Sequence, residues 1–580
     1  MTLSRLRKTY YIVLCIFLTV LVASFSNLAQ GGAVLWSGQN LFYITVFLVC
    51  ASVFYVIASS RSDSFSWVEA CAISAFCLSL FLVVWVGSGP LPYDLDSILY
   101  MHSISFTLQN GVSLNLIRTA SPLISNQYGL PMQSMLGAAL VLVTNASYIT
   151  VAKYLPLLLM CIFLVIYYPF ASERFGTKVA LISLAPVASF LLLNGYANTF
   201  NDYELGTVFF LLSLSLVFMR DRNNQLVLTM LVFFIIGCFV LTHDLSFVIF
   251  IAALAILVLK DQILRIRYPE LNLPKENVIN IFLVAVVAVF IYFTYVFFGP
   301  IQTIVAVFAN RLAIEVTSAT PVSTWALGTL IERLIYGLFI GVAVILALVQ
   351  ARADSLRFFS RYADFFLLGA GIFALGVVGA LVKVPFNWDR ISIFGWFFLV
   401  PVTLAMLFER RDRPILTRRG VIYSFSAVLV AALVFGNVLA LPTNILDHTG
   451  ANDYTGGTFK DWTKPQEFDS ALWTIHYKNS GTQVVGDELV RRLYLSNSPN
   501  FTGNFEAIQY YNNGTSSSSD SIILIRNENL YQIIWGFYPT KGSQPQLFSA
   551  KALITNLLGN QSLYRVYDDG GVRILYSPPP

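Results

Sequence analysis

Thirteen apolar runs follow one another along this chain, most of them about 17 to 22 residues long, the length of helix that crosses ~30 Å of hydrocarbon. They fall at 10–29, 41–59, 67–87, 150–170, 178–194, 205–219, 225–241, 244–260, 278–298, 329–350, 363–382, 391–408 and 420–441, the shortest being 205–219. Only 12% of the 580 residues are charged, against about 25% in a soluble domain, so no water-facing surface could cover this much apolar sequence. The expected fold class is an α-helical polytopic membrane protein of about 13 transmembrane helices. Aromatic residues abound, with 47 Phe and 29 Tyr, and membrane interfaces account for many of them.

Charge orders the runs. With the N-terminus inside, the inner gaps hold Arg61; Arg174 and Lys178; Arg220 and Arg222; Lys260, Arg265, Arg267 and Lys275; Arg352, Arg357 and Arg361; and Arg410, Arg411, Arg413, Arg418 and Arg419. The outer gaps carry scattered cations such as Arg118, Arg311, Lys383 and Arg390. This is a positive-inside pattern. Treating 130–144 as a span would reverse every later loop, so that stretch is expected to be re-entrant or interfacial. The first run follows Arg5, Arg7 and Lys8 without a clear small-x-small cleavage site and reads as a retained helix. The N-terminus is therefore expected in the cytoplasm of a cell whose plasma membrane holds the protein. A large loop, 88–149, and the tail 442–580 are expected outside.

The tail is polar and its pattern predicts a small α/β domain. Helices are expected over 466–477 and 487–495, strands over 482–485 and 521–525, and a hairpin over 564–576 turning at Asp569-Gly570-Gly571. Asn-x-Ser/Thr triplets at Asn500, Asn513 and Asn560 agree with an outer location. All six cysteines lie in apolar segments, which excludes a disulfide framework and a cysteine metal site. The net charge of +5 is spread through short loops with no continuous basic patch, so nucleic acid is not an expected partner.

Acidic residues gather in the outer gaps. Asp94 and Asp96 open the loop 88–149, in Tyr93-Asp94-Leu95-Asp96 after Pro90 and Pro92. That pattern predicts a helix start with Asp94 at its N-terminus and Leu95, Ile98, Leu99, Ile104 and Phe106 lying flat on the bilayer. Positions two apart on a helix point about 200° away from each other, so one carboxylate, Asp94, is the stronger catalytic candidate. A plain helix cap explains Asp94 as well. Asp202 and Glu204 form an Asp-x-Glu pair which, in a short extended loop, would turn two hard oxygen ligands toward one Mg²⁺ or Mn²⁺ ion. A solvated helix start is the competing explanation. His243-Asp244 stands at another outer span end, where His243 reads first as a helix-end residue and Asp244 as the cap of the next helix; His102 lies in the first outer loop. Lys383 and Arg390 flank Trp388 in a late outer gap, where a guanidinium could grip a lipid phosphate or simply anchor headgroups. Arg311, Glu315, Glu332 and Arg333 carry weaker signals. No Walker-type phosphate loop, His-Glu-x-x-His helix or serine nucleophile elbow is present.

Together these features resemble the GT-C superfamily of integral-membrane glycosyltransferases, over roughly residues 67–410. The resemblance rests on Tyr93-Asp94-Leu95-Asp96 in a large first outer loop, on Tyr128-Gly-Leu-Pro131-Met-Gln-Ser-Met-Leu-Gly137, on Glu173-Arg-Phe-Gly-Thr-Lys178, on Leu241-Thr-His243-Asp244 and on Asp389-Arg390. The Asp202/Glu204 pair is similar in position to the second acidic motif of oligosaccharyltransferase catalytic subunits. The WWDxG signature of those enzymes is absent, however, and Trp462, Trp473 and Trp535 stand in other contexts. The tail, with Gln466-Glu-Phe-Asp-Ser-Ala-Leu-Trp473 and Val484-Val-Gly-Asp487, looks more like the outer domains of mannosyltransferase-like members.

The resemblance implies two extra N-terminal helices (1–66), a GT-C-like core (67–441) and an extracytoplasmic α/β domain (442–580). It implies an inverting transfer of sugar from a polyprenyl-phosphate donor to a glycan, lipid or protein acceptor. Asp94 is the expected general base with Asp96 beside it, and Arg390 and Lys383 are the expected phosphate ligands. Asp202 and Glu204 are a second acidic or metal site, and His243, Asp244 and His102 lend support. A transporter or lipid flippase would instead place charges deep within spans, and a scaffold presenting the tail would need none of these carboxylates.

Overall fold

The computed structural model describes residues 51, 53–55, 57, 95–111, 131–193, 200, 202–219, 225–267, 277–292, 294, 327–381, 388–409 and 419–440, and in the tail 470, 473–474, 476–477, 482–486, 505–507, 521–526, 533–535, 547–549, 564–568 and 572–577. The helices among them are α1 (Leu95–Asn110), α2 (Met132–Thr144), α3 (Tyr148–Phe175), α4 (Thr177–Leu193), α5 (Asp202–Met219), α6 (Gln225–Val240) and α7 (Asp244–Arg267). They continue with α8 (Asn277–Ile291), α9 (Leu327–Ala353), α10 (Ser355–Arg361), α11 (Ala363–Leu381), α12 (Trp388–Glu409) and α13 (Arg419–Ala440). The expected runs from 150 onward coincide with α3–α9 and α11–α13. Those at 10–29 and 67–87 lie outside the described residues.

Among the described residues, four helices are long and apolar enough to cross a membrane, over Tyr148–Phe175, Asp244–Arg267, Arg333–Ala353 and Ile391–Glu409. The pair α10–α11, bent by 73°, makes a fifth if counted as one span. Apolar side chains also cover the outside of the bundle: Val165, Phe234, Leu348 and Phe290 are 72%, 69%, 65% and 62% exposed. In water this surface would be a severe liability, whereas hydrocarbon tails make it neutral. Pro156 and Pro169 in α3, Pro186 in α4 and Pro401 in α12 are accommodated inside helices, as packed membrane helices allow.

At the centre runs α12, buried on nearly every face. Its Trp396 is enclosed by Phe190 (4.5 Å between ring centroids), Phe373 (4.8 Å), Tyr336 (5.0 Å) and Phe339 (5.5 Å), from α4, α11 and α9. Close to it α11 and α12 cross backbone to backbone. A Cβ on Gly395 would lie 2.6 Å from Phe373 Cδ2 and 3.0 Å from the Gly369 carbonyl oxygen; one on Gly369 would lie 2.5 Å from Leu399 Cγ. Only hydrogen fits at either position, the usual device by which membrane helices approach closely. Gly395→Val is therefore expected to destabilise the bundle by about 1–3 kcal/mol, read as a lowered melting temperature of the purified protein. An unchanged melting temperature would mean that this crossing is loose.

Loops that the charge pattern assigns to one side meet at one end of the bundle. Arg174 at the end of α3 donates to Asp364 Oδ2 (3.1 Å) and to the Ser360 carbonyl (2.9 Å). Lys260 of α7 also pairs with Asp364, and with Asp261 at 2.8 Å. Arg357 and Tyr362 both bond Glu409 at the end of α12, and the Tyr362 ring stacks on Phe175. The tight α3–α4 turn belongs here as well, made at Gly176 with φ +88°, where a side chain would be strained. This basic end ties α3, α7, α10, α11 and α12 together.

In the tail, β1 (Gln483–Gly486), β2 (Phe505–Ala507), β3 (Ser521–Arg526), β6 (Tyr564–Asp568) and β7 (Val572–Ser577) form one sheet in the order β2-β1-β3-β7-β6. β1 is parallel to β2 and β3, whereas β7 runs antiparallel to β3 and β6. A further pair, β4 (Ile533–Trp535) and β5 (Leu547–Ser549), is antiparallel. The expected hairpin is β6–β7. The apolar run Ile522–Ile525 is buried at the sheet centre, as a strand covered on both faces should be.

Candidate active site at the acidic end of the bundle

Four helix N-termini converge at the other end. Ser97, in the first turn of α1, accepts a hydrogen bond from the Phe200 N–H at 2.7 Å, two residues before α5 begins. The Met132 N–H, at the start of α2, donates to the Leu241 carbonyl at 3.2 Å, in the turn that opens α7. α5 and α7 are themselves in contact: a Cβ on Gly206 would lie 2.8 Å from His243 Cβ and 2.9 Å from Ser246 Oγ. The Tyr203 and His243 rings meet edge to face at 6.2 Å. Each N-terminus carries partial positive charge from its aligned peptide dipoles, so four together favour anionic groups. The buried carboxylates of Asp202 and Glu204, 5% and 0% exposed, supply such groups from the first turn of α5.

Helix α1 begins at Leu95, where Pro90, Pro92 and Asp94 led one to expect a start. Of the apolar residues expected to lie on the bilayer, Ile104 is buried and Phe106 half-buried, while the side chains of Leu95, Ile98 and Leu99 lie outside the described residues. Ser97, Tyr100, Met101 and Ile104, spaced i, i+3, i+4 and i+7, are buried against the rest of the protein, because Ser97 and Ser103 give that face hydrogen-bond anchors. Asp94 and Lys383 lie outside the described residues. Asp96 falls in α1, His102 in the same helix and Arg390 in the first turn of α12, while their side chains lie outside the described set.

Asp202 and Glu204 are not in an extended loop, since the helix already includes both. Two positions apart, the carboxylates diverge by about 200°. Each suits a hard divalent cation, but only one can face a given ion, so the remaining ligands must come from another segment. Among the described residues no group of three or more His, Cys, Asp or Glu side chains is gathered as metal ligands.

His243, not Asp244, caps α7. Its Nδ1 accepts the Ser246 N–H at 3.2 Å, three residues on, and stands 2.6 Å from Ser246 Oγ. Asp244 takes the next position, its carboxylate accepting the Leu245 N–H at 2.6 Å. The capping explanation for this His is thus the one the geometry supports.

Two polar residues escaped the sequence reading. Lys153 stands five residues into α3 and is 5% exposed; the signal available was one cation within the apolar run 150–170. Gln133, in the first turn of α2, is fully buried. The stretch 130–144, expected to be re-entrant or interfacial, forms the short apolar helix α2. α2 is 13 residues, about 20 Å long, and it starts beside the turn that opens α7. Its exit is closed by Asn145 in the left-handed region (φ 56°) and by the Ser147 cap of α3.

No family model matches the chain, and no curated protein matches it. Among solved structures it is similar to the oligosaccharyltransferase of Archaeoglobus fulgidus in the apo form, at 12% identity, with 81% of this chain and 71% of that one covered and a TM-score of 0.46. It is similar to Archaeoglobus fulgidus AglB in complex with an inhibitory peptide and a dolichol-phosphate, at 12% identity, 79% and 64% covered and TM-score 0.41. It is also similar to ArnT from Cupriavidus metallidurans bound to undecaprenyl phosphate, at 12% identity, 87% and 97% covered and TM-score 0.33.

Proposed function

We propose that this protein is a membrane glycosyltransferase of GT-C type, moving a sugar from a polyprenyl-phosphate donor to an acceptor hydroxyl at the acidic end of the bundle. The observation that carries the reading is the convergence of the α1, α2, α5 and α7 N-termini around buried acidic residues at one end of a membrane bundle. A transporter has its charges at mid-span, whereas these collect at helix ends.

Asp94 removes the proton of the acceptor hydroxyl as its oxygen attacks the anomeric carbon. The C1–O bond to the donor breaks, and its electron pair leaves with the polyprenyl phosphate, so configuration inverts. Arg390 and Lys383 balance the charge developing on that phosphate, with the converging helix N-termini adding to them. Asp202 and Glu204 orient the sugar or its acceptor. Mg²⁺ or Mn²⁺, if held by one of these two carboxylates with a ligand from the first outer loop, would supply further positive charge. By the positive-inside rule the site opens outside the cytoplasm, where a flipped lipid-linked sugar is the accessible donor.

The test is transfer by purified protein in lipid, given radiolabelled polyprenyl-phosphate hexoses and host lipid extract. Label should move to an acceptor. Folded protein that transfers nothing from a broad donor panel would sink the proposal. In the same assay Glu204→Gln should lower transfer about 10- to 100-fold, the worth of one charge-assisted hydrogen bond. Undiminished activity would show that Glu204 only caps α5.

A further inference from the structure

Gln133 is fully buried, and among the described residues neither its amide nitrogen nor its amide oxygen has a hydrogen-bond partner. The contacts around it fix its place. Met132, before it, is bonded to the Leu241 carbonyl, two residues from His243. Ser134, after it, is bonded to Ser103 of α1. Gly137, one turn on and on the same face of α2, lies against Ile104 of α1, where a Cβ would come within 2.6 Å of Ile104 Cδ1. The amide is therefore shut into the corner between α1, the start of α2 and the turn that opens α7, where the proposed site lies.

An enclosed amide with no partner opposes folding, because its donors and acceptor have lost water and gained nothing. Its neighbours show that the corner can satisfy polar groups: Ser97, Ser103 and Ser134 are all bonded. An amide also differs from the carboxylates nearby in carrying both donors and an acceptor without charge. That is the complement of a neutral hydroxyl, which gives one hydrogen bond and takes others. We infer that Gln133 binds a sugar hydroxyl of the substrate and sets which hexose, or which acceptor sugar, the site takes. The inference rests on the transferase reading for its substrate class.

Gln133→Met keeps the length and volume of the side chain and removes the amide. The melting temperature should stay level or rise, because no bond in the folded protein is lost. Transfer should fall about tenfold, mainly in KM, the worth of one neutral hydrogen bond. Donor and acceptor series lacking single hydroxyls locate the contact. For one deoxy compound the wild type should lose the same factor and the variant nothing more; a deoxy donor places the contact on the transferred hexose, a deoxy acceptor on its recipient. A lowered melting temperature would overturn the inference by giving the amide a structural task. Unchanged KM values for donor and acceptor would overturn it while leaving the transferase reading intact. Thermal stabilisation by methyl hexosides, present in the wild type and lost in the variant, would uphold the hydroxyl contact even if no transfer were found. Stabilisation equal in both would refute it.

Discussion

Asp94→Asn should reduce glycosyl transfer by about 10²- to 10⁴-fold, the usual contribution of a positioned general base. An ordinary Asp, with a pKa of about 3.9, is already ionised at neutral pH and can take a proton, whereas the amide cannot. The substitution isolates that property. Asn caps a helix as well as Asp does, the competing role the sequence offers this residue, so helix α1 should survive. Three residues on, Ser97 remains available to bind the Phe200 N–H and hold α1 beside α5. The measurement is kcat/KM with labelled donor, alongside a melting curve. A large loss with unchanged melting identifies the base. Undiminished transfer would remove Asp94 from the chemistry and turn attention to Asp96 or Asp202.

The helices were readable because each membrane span must bury its own backbone polarity, and a long apolar run has no other way of doing so. The runs from 150 onward therefore recur as helices with small shifts at their ends. The grouping of loops was readable as well. Arg174 and Lys260 come from separate loops that the charge pattern placed on one side, and they share Asp364, while Arg357 of a third such loop pairs with Glu409. What the sequence could not show is which ends touch. Ser97 meets Phe200 across a separation of 103 residues, and no local pattern predicts such a pairing. The setting of Asp202 and Glu204 stayed open between an extended loop and a helix start, because an acidic pair before an apolar run fits either equally well; the first turn of α5 is the one found. Gln133 passed as ordinary polarity in an interfacial stretch; its lack of partners is a property of the packed corner.

The other large effect belongs to Asp364, at the start of α11. Its carboxylate is the shared acceptor for Lys260 and Arg174, and the Lys260 and Asp364 side chains are only 12% and 13% exposed. Asp364→Ala would leave Lys260 enclosed with Asp261 alone, 2.8 Å away, and would leave Arg174 bonded to the Ser360 carbonyl of α10 but detached from α11. Removing one partner of a buried pair costs about 3–5 kcal/mol, because the stranded charge has already given up its hydration. The expected result is a fall of that size in unfolding free energy, measured with the protein in detergent or lipid. The double variant Lys260→Met with Asp364→Leu should recover most of it, since an apolar pair of similar volume avoids the desolvation cost. A single variant within the ~0.5 kcal/mol typical of an exposed site would show that water reaches this network. Transfer activity separates the two ends of the molecule. The network ties together the basic ends of α3, α7 and α11, while the proposed chemistry sits at their opposite end. Folded Asp364→Ala protein should therefore keep its KM for donor, and a raised KM would mean that the basic end sets the spacing of α5 and α7 at the site.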